Sequence, residues 1–409
     1  MKFIYCLLCF CVSVTVQAEV KVSTGLEVFL AKYSHIVRGK RVGLITNHTG
    51  VDRHLRATVD LLKANSNVNL TALFAPEHGI RGDLKAGEHV KGGRDKKTGL
   101  PVFSLYGGYD HKPQKVHLEK VDTLIYDIQD VGSRAYTYIW SLAEAMKASA
   151  ENGKTVIVFD RPNVFGAWQV DGPIVDQANL SFIGLHPVPR VYGMTVGELA
   201  RLLNKEYKIN CKLIVVPMSG YRRGMTWEMT GLPWVPASPN IPSLASAQLF
   251  AATGALGIVG GGCEIGLAIN LPFQVVASQY IDAEKMAKDM NRLRLPGIRF
   301  RAIHYRPHLG SYKGKNFHGV QLHVTDSRSF QPATTELALI AYLRRTYPKQ
   351  YIWNRWQNKT FYRTLDKSLG MTSVRKALKA GKDYRSIKKL YSAHLARFKR
   401  LRAKYLIYK

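Results

Sequence analysis

The feature that most constrains this chain is an alternation of short apolar runs with helical patterns over residues 40–160. Five runs have the length and composition of buried strands. Helical periodicity lies between several of them, at residues 55–64 and 139–150. Short apolar strands that alternate with helices predict a parallel sheet covered on both faces, and hence an α/β fold. The five runs are residues 42–46, 70–75, 102–105, 123–128 and 156–159.

The second half of the chain has a mixed pattern, which predicts a smaller α/β lobe. Thr195 is followed three residues later by Glu198, a pattern typical of a helix start. Prolines between residues 173 and 189 indicate a boundary between two lobes. We therefore expect an N-terminal α/β lobe over residues 19–175 and a C-terminal α/β lobe over residues 176–409.

The first eighteen residues have the composition of a secretory signal peptide. One lysine precedes an apolar stretch at residues 3–16, which is too short to span a bilayer, and a small-residue cleavage pattern follows. We expect removal of residues 1–18, a periplasmic or secreted mature protein, and no transmembrane segment. The mature chain keeps Cys211 and Cys263. An oxidising compartment would allow them to pair, although isolated cysteines in apolar stretches are more often inert thiols.

The formal net charge of +30 favours association with polyanions. For an exported protein, acidic envelope polymers are the expected polyanions, and no nucleic-acid partner is expected. Thirteen Lys or Arg and a single acid, Asp383, lie within residues 375–409, where apolar residues recur at helical spacing. This pattern predicts a basic amphipathic helix packed on the body. Its polar face serves either to dock acidic polymers or only to keep the protein soluble.

Polar side chains follow the predicted strands, at the end where parallel sheets bind ligands. Because the carboxyl ends of parallel strands meet at one edge, we expect these side chains to line a common cleft. No G-x-G-x-x-G follows the first strand and no Walker-type motif occurs, so no nucleotide cofactor is predicted. The side chains are Asn47 and His48, then Glu77, His78 and Arg81, then Tyr106, then Asp127, Gln129, Asp130 and Arg134, and finally Asp160 and Asn163.

Two chemistries suit this cluster. Glycoside hydrolysis requires two carboxyl groups, one of which holds a proton near neutral pH, and Glu77, Asp127, Asp130 and Asp160 are the candidates. Alternatively, Glu77, His78, Asp127 and Asp160 would hold a divalent metal for hydrolysis. No metal motif with a fixed spacing such as H-E-x-x-H is present. Glu77 lies in a turn and is favoured for function, whereas Asp127 and Asp160 are explained as readily by structural roles.

Several motifs of the chain resemble those of the NamZ family of exo-β-N-acetylmuramidases. They include A-P-E-H-G-I-R-G at residues 75–82 and S-P-N-I-P at residues 238–242. The resemblance extends over nearly the whole mature chain. It implies a Rossmann-like N-terminal lobe, a smaller C-terminal α/β lobe and a cleft between them. It also implies release of N-acetylmuramic acid from non-reducing ends of peptidoglycan fragments, without a cofactor. The other matching segments are residues 127–138, 160–163, 193–199, 230–234 and 398–408.

The resemblance also implies roles for individual residues. Glu77 would be the catalytic carboxylate, and the acid-rich stretch at residues 127–130 would supply a second one, from Asp130 or Asp127. An arginine would pair with the lactyl carboxylate, since the planar guanidinium fork matches carboxylates. The expected sugar contacts are Asn163 and Asn240, the lactyl partner is Arg134 or Arg81, and the further substrate contacts are His78, Tyr136 and Tyr138.

One segment departs from the family pattern. Where typical members carry a Glu-Gly-Arg-Gly-Thr-like run, this chain has residues 262–268, with Ile265 and Leu267 at the expected Glu and Arg. Glu264 would replace the missing acid only through a register shift. The departure predicts a different acidic sugar or a weakened enzyme. The alternative from another class is a non-catalytic binder of cell-wall or envelope polyanions.

Overall fold

The computed structural model describes residues 22–409 with gaps at 83, 86, 108–110, 260–262 and 351–358. The predicted signal peptide at residues 1–18 therefore lies outside the described residues. The strands are β1 (Arg41–Thr46), β2 (Asn69–Ala75), β3 (Gly93–Arg94), β4 (Pro101–Ser104), β5 (Thr123–Asp127), β6 (Thr155–Phe159), β7 (Asp171–Ile174), β8 (Pro189–Val191), β9 (Lys212–Val216), β10 (Val275–Ser278), β11 (Ile298–Tyr305) and β12 (Phe317–Val324).

The α-helices and shorter helical turns connect these strands. The α-helices are α1 (Gly25–Val28), α2 (Thr58–Ala64), α3 (Lys115–Leu118), α4 (Tyr138–Glu151), α5 (Val196–Glu206), α6 (Leu244–Val259), α7 (Ala283–Arg292), α8 (Pro332–Thr346), α9 (Lys359–Leu369), α10 (Thr372–Lys379), α11 (Tyr384–Lys389) and α12 (Ser392–Ala403). A π turn lies at Phe29–Tyr33, and 3₁₀ turns lie at Ser34–Val37, Gln177–Asn179, Glu228–Thr230, Leu267–Ile269 and Gly310–Tyr312.

A seven-stranded sheet in the order β3-β4-β2-β1-β5-β6-β9 forms the first lobe. All neighbouring strands are parallel except β3 and β4. Numbered among themselves in chain order, the parallel strands have the order 3-2-1-4-5-6, which is that of a Rossmann fold. The five predicted strands and the Rossmann-like class are thus confirmed.

Two apolar layers cover the faces of this sheet. Side chains alternate between faces along a strand, so Leu124 and Tyr126 of β5 pack with α4 and α5, whereas Ile125 packs with α1 and α2. The strands read as continuous apolar runs because helices cover both sides. Because both faces of the sheet are buried, polar side chains are expected at the strand ends.

The sheet extends past the lobe boundary predicted near residue 175. β9 pairs in parallel with β6, from Thr155 opposite Lys212 to Phe159 opposite Val216. The helix that precedes it, α5, begins with the predicted capping box of Thr195. Two of the prolines that suggested a boundary, Pro173 and Pro189, lie in a two-stranded ribbon, β7 and β8, between the fifth and sixth parallel strands. The sheet of the first lobe therefore continues to residues 212–216, beyond the predicted boundary.

The second lobe contains a three-stranded antiparallel sheet, β10-β12-β11, against which α7 packs. Helices α6 and α8 pack on each other beside it. This arrangement confirms a smaller lobe with both helices and strands. Within the described part of the chain, no helix combines the length and apolar composition that a membrane crossing requires.

The basic tail contains three helices, α10 to α12, where the sequence predicted one. Gly381, with φ of 71°, follows α10, and Asp383 then caps α11 by accepting a hydrogen bond from the Ser386 N–H at 2.8 Å. The positive φ interrupts the helix because it lies outside the helical region. Ile387 and Phe398 are buried against the body, so the predicted apolar packing is confirmed.

Cys211 and Cys263 are both buried and both free. Burial raises the pKa of the Cys211 thiol and of the Cys263 thiol to about 11. Because the thiolate is the reactive form, both groups have the properties of inert structural thiols.

Candidate active site

The carboxyl ends of β2, β1 and β5 lie side by side, and the chain direction across the sheet changes between β1 and β5. Open α/β sheets bind ligands in the crevice outside this point. Asn47 and His48 follow β1, Glu77 follows β2 and Asp130 follows β5. The strand order therefore brings together the polar groups that the sequence predicted at one edge.

Glu77 is partly buried in the turn after β2. Its Oε2 accepts a hydrogen bond from the Thr137 hydroxyl at 2.7 Å, and its Oε1 accepts one from the Gly87 N–H at 3.0 Å. Burial, together with the neighbouring charge of Glu77, raises the pKa of the Tyr106 phenol above its ordinary value. Among the described residues, no Lys or Arg forms an ion pair with Glu77. Its carboxylate is oriented by neutral donors and is not neutralised.

The Thr137 hydroxyl binds Glu77 and does not cap α4. It is the N-cap residue of α4, where a threonine hydroxyl usually accepts a backbone hydrogen bond from the first turn. Here the hydroxyl makes no capping bond and donates to Glu77. Thr137 lies within the matching segment 127–138, although no sequence pattern marked it as a functional residue. The start of α4 therefore contributes a side chain that orients the Glu77 carboxylate.

Buried polar atoms without a hydrogen-bond partner lie on this side of the sheet. Tyr136 and Tyr138 are both close enough to Glu77 for its charge to contribute to their raised phenol pKa values, after the larger effect of burial. An unsatisfied buried polar group costs about 1–3 kcal/mol, so such atoms mark positions that water or a polar ligand fills. Among the described residues, the atoms are His48 Nδ1 and Trp234 Nε1.

The loop at residues 234–238 packs over the same edge. The His48 Nε2 atom lies 2.6 Å from the carbonyl oxygen of Pro236, and the Tyr138 hydroxyl donates to the carbonyl of Ala237 at 3.1 Å. The ring of Phe250, from α6, meets that of Tyr136 at 5.6 Å between centroids. The second half of the chain therefore contributes to the wall beside Tyr136, as a cleft between lobes requires.

Asp130 is buried after β5. Its Oδ2 accepts hydrogen bonds from the Tyr192 hydroxyl and from the Gly132 N–H, while its Oδ1 has no partner among the described residues. Burial raises the pKa of Asp130 to about 7, although the hydrogen bonds from Tyr192 and from the backbone oppose that change. A carboxyl group with a pKa near 7 retains a proton at neutral pH, as a general acid must. Asp130 thus differs from its neighbour Asp127 in its raised pKa and in one oxygen that has no hydrogen-bond partner among the described residues.

Asp127 is engaged in a buried ion pair. Its two oxygens accept hydrogen bonds from Nε and Nη2 of Arg161 at 2.6 and 2.9 Å, and Oδ2 also accepts one from the Thr58 hydroxyl at 2.5 Å. Both partners of the ion pair are buried. The prediction of a catalytic Asp127 does not fit this geometry, because neither oxygen is available to a substrate. Asp127 instead anchors Arg161 and the start of α2.

Of the two arginines expected to meet the lactyl carboxylate, only Arg81 is accessible. Arg81 donates to Asp95 at 2.8 Å, and its side chain remains 42% exposed. Arg134 is completely buried, and burial, with Arg190 close by, lowers the pKa of its guanidinium to about 9. Its expected contact with a substrate carboxylate is not supported, because its donors serve the backbone. The acceptors are the carbonyl oxygens of Pro173, Val188 and Ser368, at 2.9, 3.2 and 2.7 Å.

The two asparagines expected to contact the sugar differ in the same way. The Asn163 amide donates to the Met194 carbonyl at 2.7 Å and accepts from the Phe165 N–H at 2.9 Å, so its sugar contact is not supported. Asn240 is exposed in a turn and remains accessible. His78 is buried, with its Nδ1 atom 2.8 Å from the Leu84 carbonyl oxygen.

His48 and Gly82 form a contact that single-residue patterns did not reveal. Gly82 has a φ of 76°, and a Cβ atom at this position would lie 2.1 Å from Nδ1 of His48. Glycine is therefore required by backbone conformation and by space together. The two neighbouring residues of the matched motif therefore differ in role. Arg81 presents an exposed guanidinium, whereas Gly82 leaves the space that the His48 ring occupies.

The comparisons with known proteins match this chain over almost its full length. A family model described as exo-beta-N-acetylmuramidase NamZ, N-terminal, matches residues 42–245, and its C-terminal counterpart matches residues 249–408. The chain belongs to the NamZ family. The first family model includes β9, in agreement with the seven-stranded sheet and not with a boundary at residue 175.

Individual relatives give the same result. The peptidoglycan beta-N-acetylmuramidase NamZ of Bacillus subtilis (strain 168) is 42% identical over 390 residues, covering 95% of this chain and 92% of that protein. A crystal structure of a DUF1343 family protein from Bacteroides fragilis NCTC 9343 has a TM-score of 0.88 at 39% identity, over 95% of this chain and 100% of that one. A second DUF1343 protein from the same organism has a TM-score of 0.74 at 30% identity, over 95% and 99%.

In the segment that departs from the NamZ pattern, the acidic residue Glu264 has a structural role. Glu264 is buried, and its oxygens accept hydrogen bonds from the Gly266 N–H at 2.8 Å, the Ala268 N–H at 3.0 Å and the Tyr305 hydroxyl at 2.6 Å. These bonds close the turn, so Glu264 does not replace the missing family acid. Leu267, at the position of the expected arginine, is 42% exposed.

The metal alternative requires a cluster of donor side chains. Among the described residues, no group of three or more His, Cys, Asp or Glu side chains is arranged to hold a metal ion.

Proposed function

We propose that this protein is an exported exo-β-N-acetylmuramidase, which releases N-acetylmuramic acid from the non-reducing ends of peptidoglycan fragments. The observation that carries the proposal is the Glu77 carboxylate, which neutral donors orient at the switch point of a Rossmann-like sheet. Membership of the NamZ family and the named activity of the Bacillus subtilis relative support the same assignment.

In this proposal Glu77 acts on the bond that is cleaved, and Asp130 provides the second carboxyl group. Glycosidases pair one ionised carboxylate with one protonated carboxyl group. Asp130 meets the second requirement because its pKa of about 7 keeps it protonated in much of the population at neutral pH. Burial raises the pKa of the Tyr136 phenol, and the charges of Asp130 and Glu77 add to this effect, so both carboxyl groups lie near Tyr136.

Recognition of the sugar falls to polar groups that the fold leaves unpaired. Among the described residues, Trp234 has a buried indole N–H without a partner, and a sugar hydroxyl or acetamido group would supply the missing hydrogen bond. Exposed Asn240 adds an accessible amide. Arg81 is the arginine available to the lactyl carboxylate.

A chromogenic muramic acid glycoside tests the proposal. Glu77→Gln should lower kcat by about 10²- to 10⁴-fold without unfolding the protein, since Glu77 lies in a polar turn. Glu119→Gln, which removes an exposed carboxylate elsewhere, is the matched control and should keep wild-type rates. Equal rates for wild type and Glu77→Gln would remove Glu77 from the mechanism. Loss of activity with a chelator, restored by a divalent ion, would favour the metal-dependent alternative.

Export and a polyanion contact are separate parts of the proposal. The composition of residues 1–18 supports cleavage and a periplasmic or secreted location, which the N-terminus of the mature protein and cell fractionation would test. The tail supports electrostatic docking on acidic envelope polymers. Such binding should weaken with salt, survive Glu77→Gln and fail when the exposed cations of the tail are neutralised. Those cations include Lys382, Arg385, Lys389, Arg397, Lys399 and Arg400.

A further inference from the structure

A large open cavity lies beside the turn that carries Glu77. Its volume is about 730 Å³. Ala75 and Gly79, on either side of Glu77 in sequence, line it together with described residues of the segment 80–97. A cavity of this size is within the range of small-molecule binding sites, about 300–1,000 Å³.

The lining of this cavity is strongly basic. Five Lys or Arg side chains face two carboxylates, those of Glu88 and Asp95. Asp95 is already engaged by Arg81 at 2.8 Å, and Lys97 pairs with Asp60 outside the lining. The remaining cations are exposed and form no ion pair with a described residue. They are Lys91, Arg94 and Lys96.

The same segment holds the carboxylate of the proposed active site. Gly87 donates its N–H to Glu77 at 3.0 Å, and the carbonyl oxygen of Leu84 lies 2.8 Å from Nδ1 of His78. Residues that follow directly, from Glu88 to Lys97, form the basic wall. A ligand that extends from Glu77 along this segment therefore meets uncompensated positive charge.

We propose that the basic cavity is a subsite for carboxylate groups on the aglycone, the part of the substrate that remains after cleavage. The proposal rests on the exo-muramidase function above. An exo-acting enzyme holds the terminal sugar at the catalytic group, so the rest of the fragment must leave the site along a neighbouring surface. Peptidoglycan fragments carry carboxylates there, on the next muramic acid or on its attached peptide. Unpaired Lys and Arg side chains favour such anions electrostatically.

The experiment compares substrates with and without a charged aglycone. The double variant Lys91→Gln/Lys96→Gln should raise KM by about five- to ten-fold for a muramic acid-terminated chain that bears carboxylates. Its kcat should not change. KM for the chromogenic muramic acid glycoside, whose aglycone is neutral, should stay within about two-fold of wild type. Lys40→Gln/Lys63→Gln removes the same charge from exposed positions elsewhere and should change neither KM.

Further arms identify the source of the carboxylate and guard against misfolding. Chains with and without peptide distinguish peptide carboxylates from lactyl carboxylates, because only the chain with the relevant group should respond to the variant. With the unmodified wild-type protein, added salt should raise KM more for the charged chain than for the chromogenic glycoside, whose single carboxylate is the lactyl group of its muramic acid. Equal KM changes for both substrates, or none, would overturn the subsite. Failure of wild type to hydrolyse the chromogenic glycoside would instead overturn the proposed function.

Discussion

The hydroxyl of Tyr408, the penultimate residue, donates a hydrogen bond of 2.7 Å to Oδ2 of Asp160, directly after β6. Asp160 is completely buried and also accepts hydrogen bonds from the Thr195 hydroxyl at 2.7 Å, the Gly197 N–H at 2.8 Å and the Arg161 N–H at 3.0 Å. The end of the chain is thereby tied to the sheet edge that carries the candidate active site. Asp160 is a structural centre and not a free catalytic acid, because its two oxygens are engaged four times.

The Tyr408 contact leads to a stability prediction. Tyr408→Phe should lower the free energy of unfolding by about 1–3 kcal/mol, because it removes a donor from a buried carboxylate. Urea denaturation monitored by tryptophan fluorescence would measure the change. Tyr405→Phe is the matched control, since the Tyr405 hydroxyl bonds to Glu206 at a more exposed position. An equal decrease in the free energy of unfolding in both variants would show that the hydrogen bond to Asp160 stabilises the fold no more than the one to Glu206.

The raised pKa of Asp130 predicts a pH dependence of stability. Its pKa is about 7 in the folded protein and 3.8 in the reference state, so the folded state binds more protons between these values. Stability should therefore fall as pH rises from about 4 to about 7. Asp130→Asn should flatten this slope in Tm measurements between those pH values.

Asp122 provides a control with the opposite sign. Hydrogen bonds from exposed Arg41 lower the pKa of Asp122 to about 2 from 3.8. Its contribution to stability is present above pH of about 4 and is lost as pH falls through about 2. Asp122→Asn should thus leave the slope between pH 4 and 7 as in wild type. An unchanged slope in Asp130→Asn would contradict the assignment of the proton to Asp130.

The ion pair of Asp127 with Arg161 separates a structural carboxylate from a catalytic one. Breaking a buried pair from one side costs about 3–5 kcal/mol, so Asp127→Asn should lower Tm strongly. Glu77→Gln should leave Tm close to wild type and lower kcat by about 10²- to 10⁴-fold. Differential scanning calorimetry and the chromogenic assay, run on the same preparations, would check both. A stable but inactive Asp127→Asn protein would restore Asp127 as a catalytic candidate.

Thr137 is predicted to position Glu77. Thr137→Val removes the hydroxyl that donates to Oε2 at 2.7 Å and should lower kcat by about ten-fold, which corresponds to one hydrogen bond. KM should change little, because the hydrogen bond orients the carboxylate and does not contact the substrate. Thr137→Ser keeps the hydroxyl and should recover most of the activity. If Val and Ser variants behave alike, the hydrogen bond has no catalytic role.

Local sequence patterns were sufficient for the elements and for the edge at which the site forms. The five apolar runs became β1, β2, β4, β5 and β6 because burial on both faces requires continuous apolar sequence. The Thr195 capping box begins α5 as predicted, since a cap depends on residues three positions apart. Motifs of the same kind predicted NamZ membership, which the family models confirmed.

Tertiary structure decided which polar residues remain free for chemistry. Asp127 and Asp130 look alike in sequence. In the folded protein Arg161, thirty-four positions from Asp127, pairs with Asp127, whereas Oδ1 of Asp130 has no partner among the described residues. The Arg134 guanidinium donates to backbone carbonyls, one of which belongs to Ser368, 234 residues away in sequence. Secondary structure and motifs follow from neighbours along the chain. Availability of a side chain depends on desolvation and on partners that only the folded chain brings within hydrogen-bond distance.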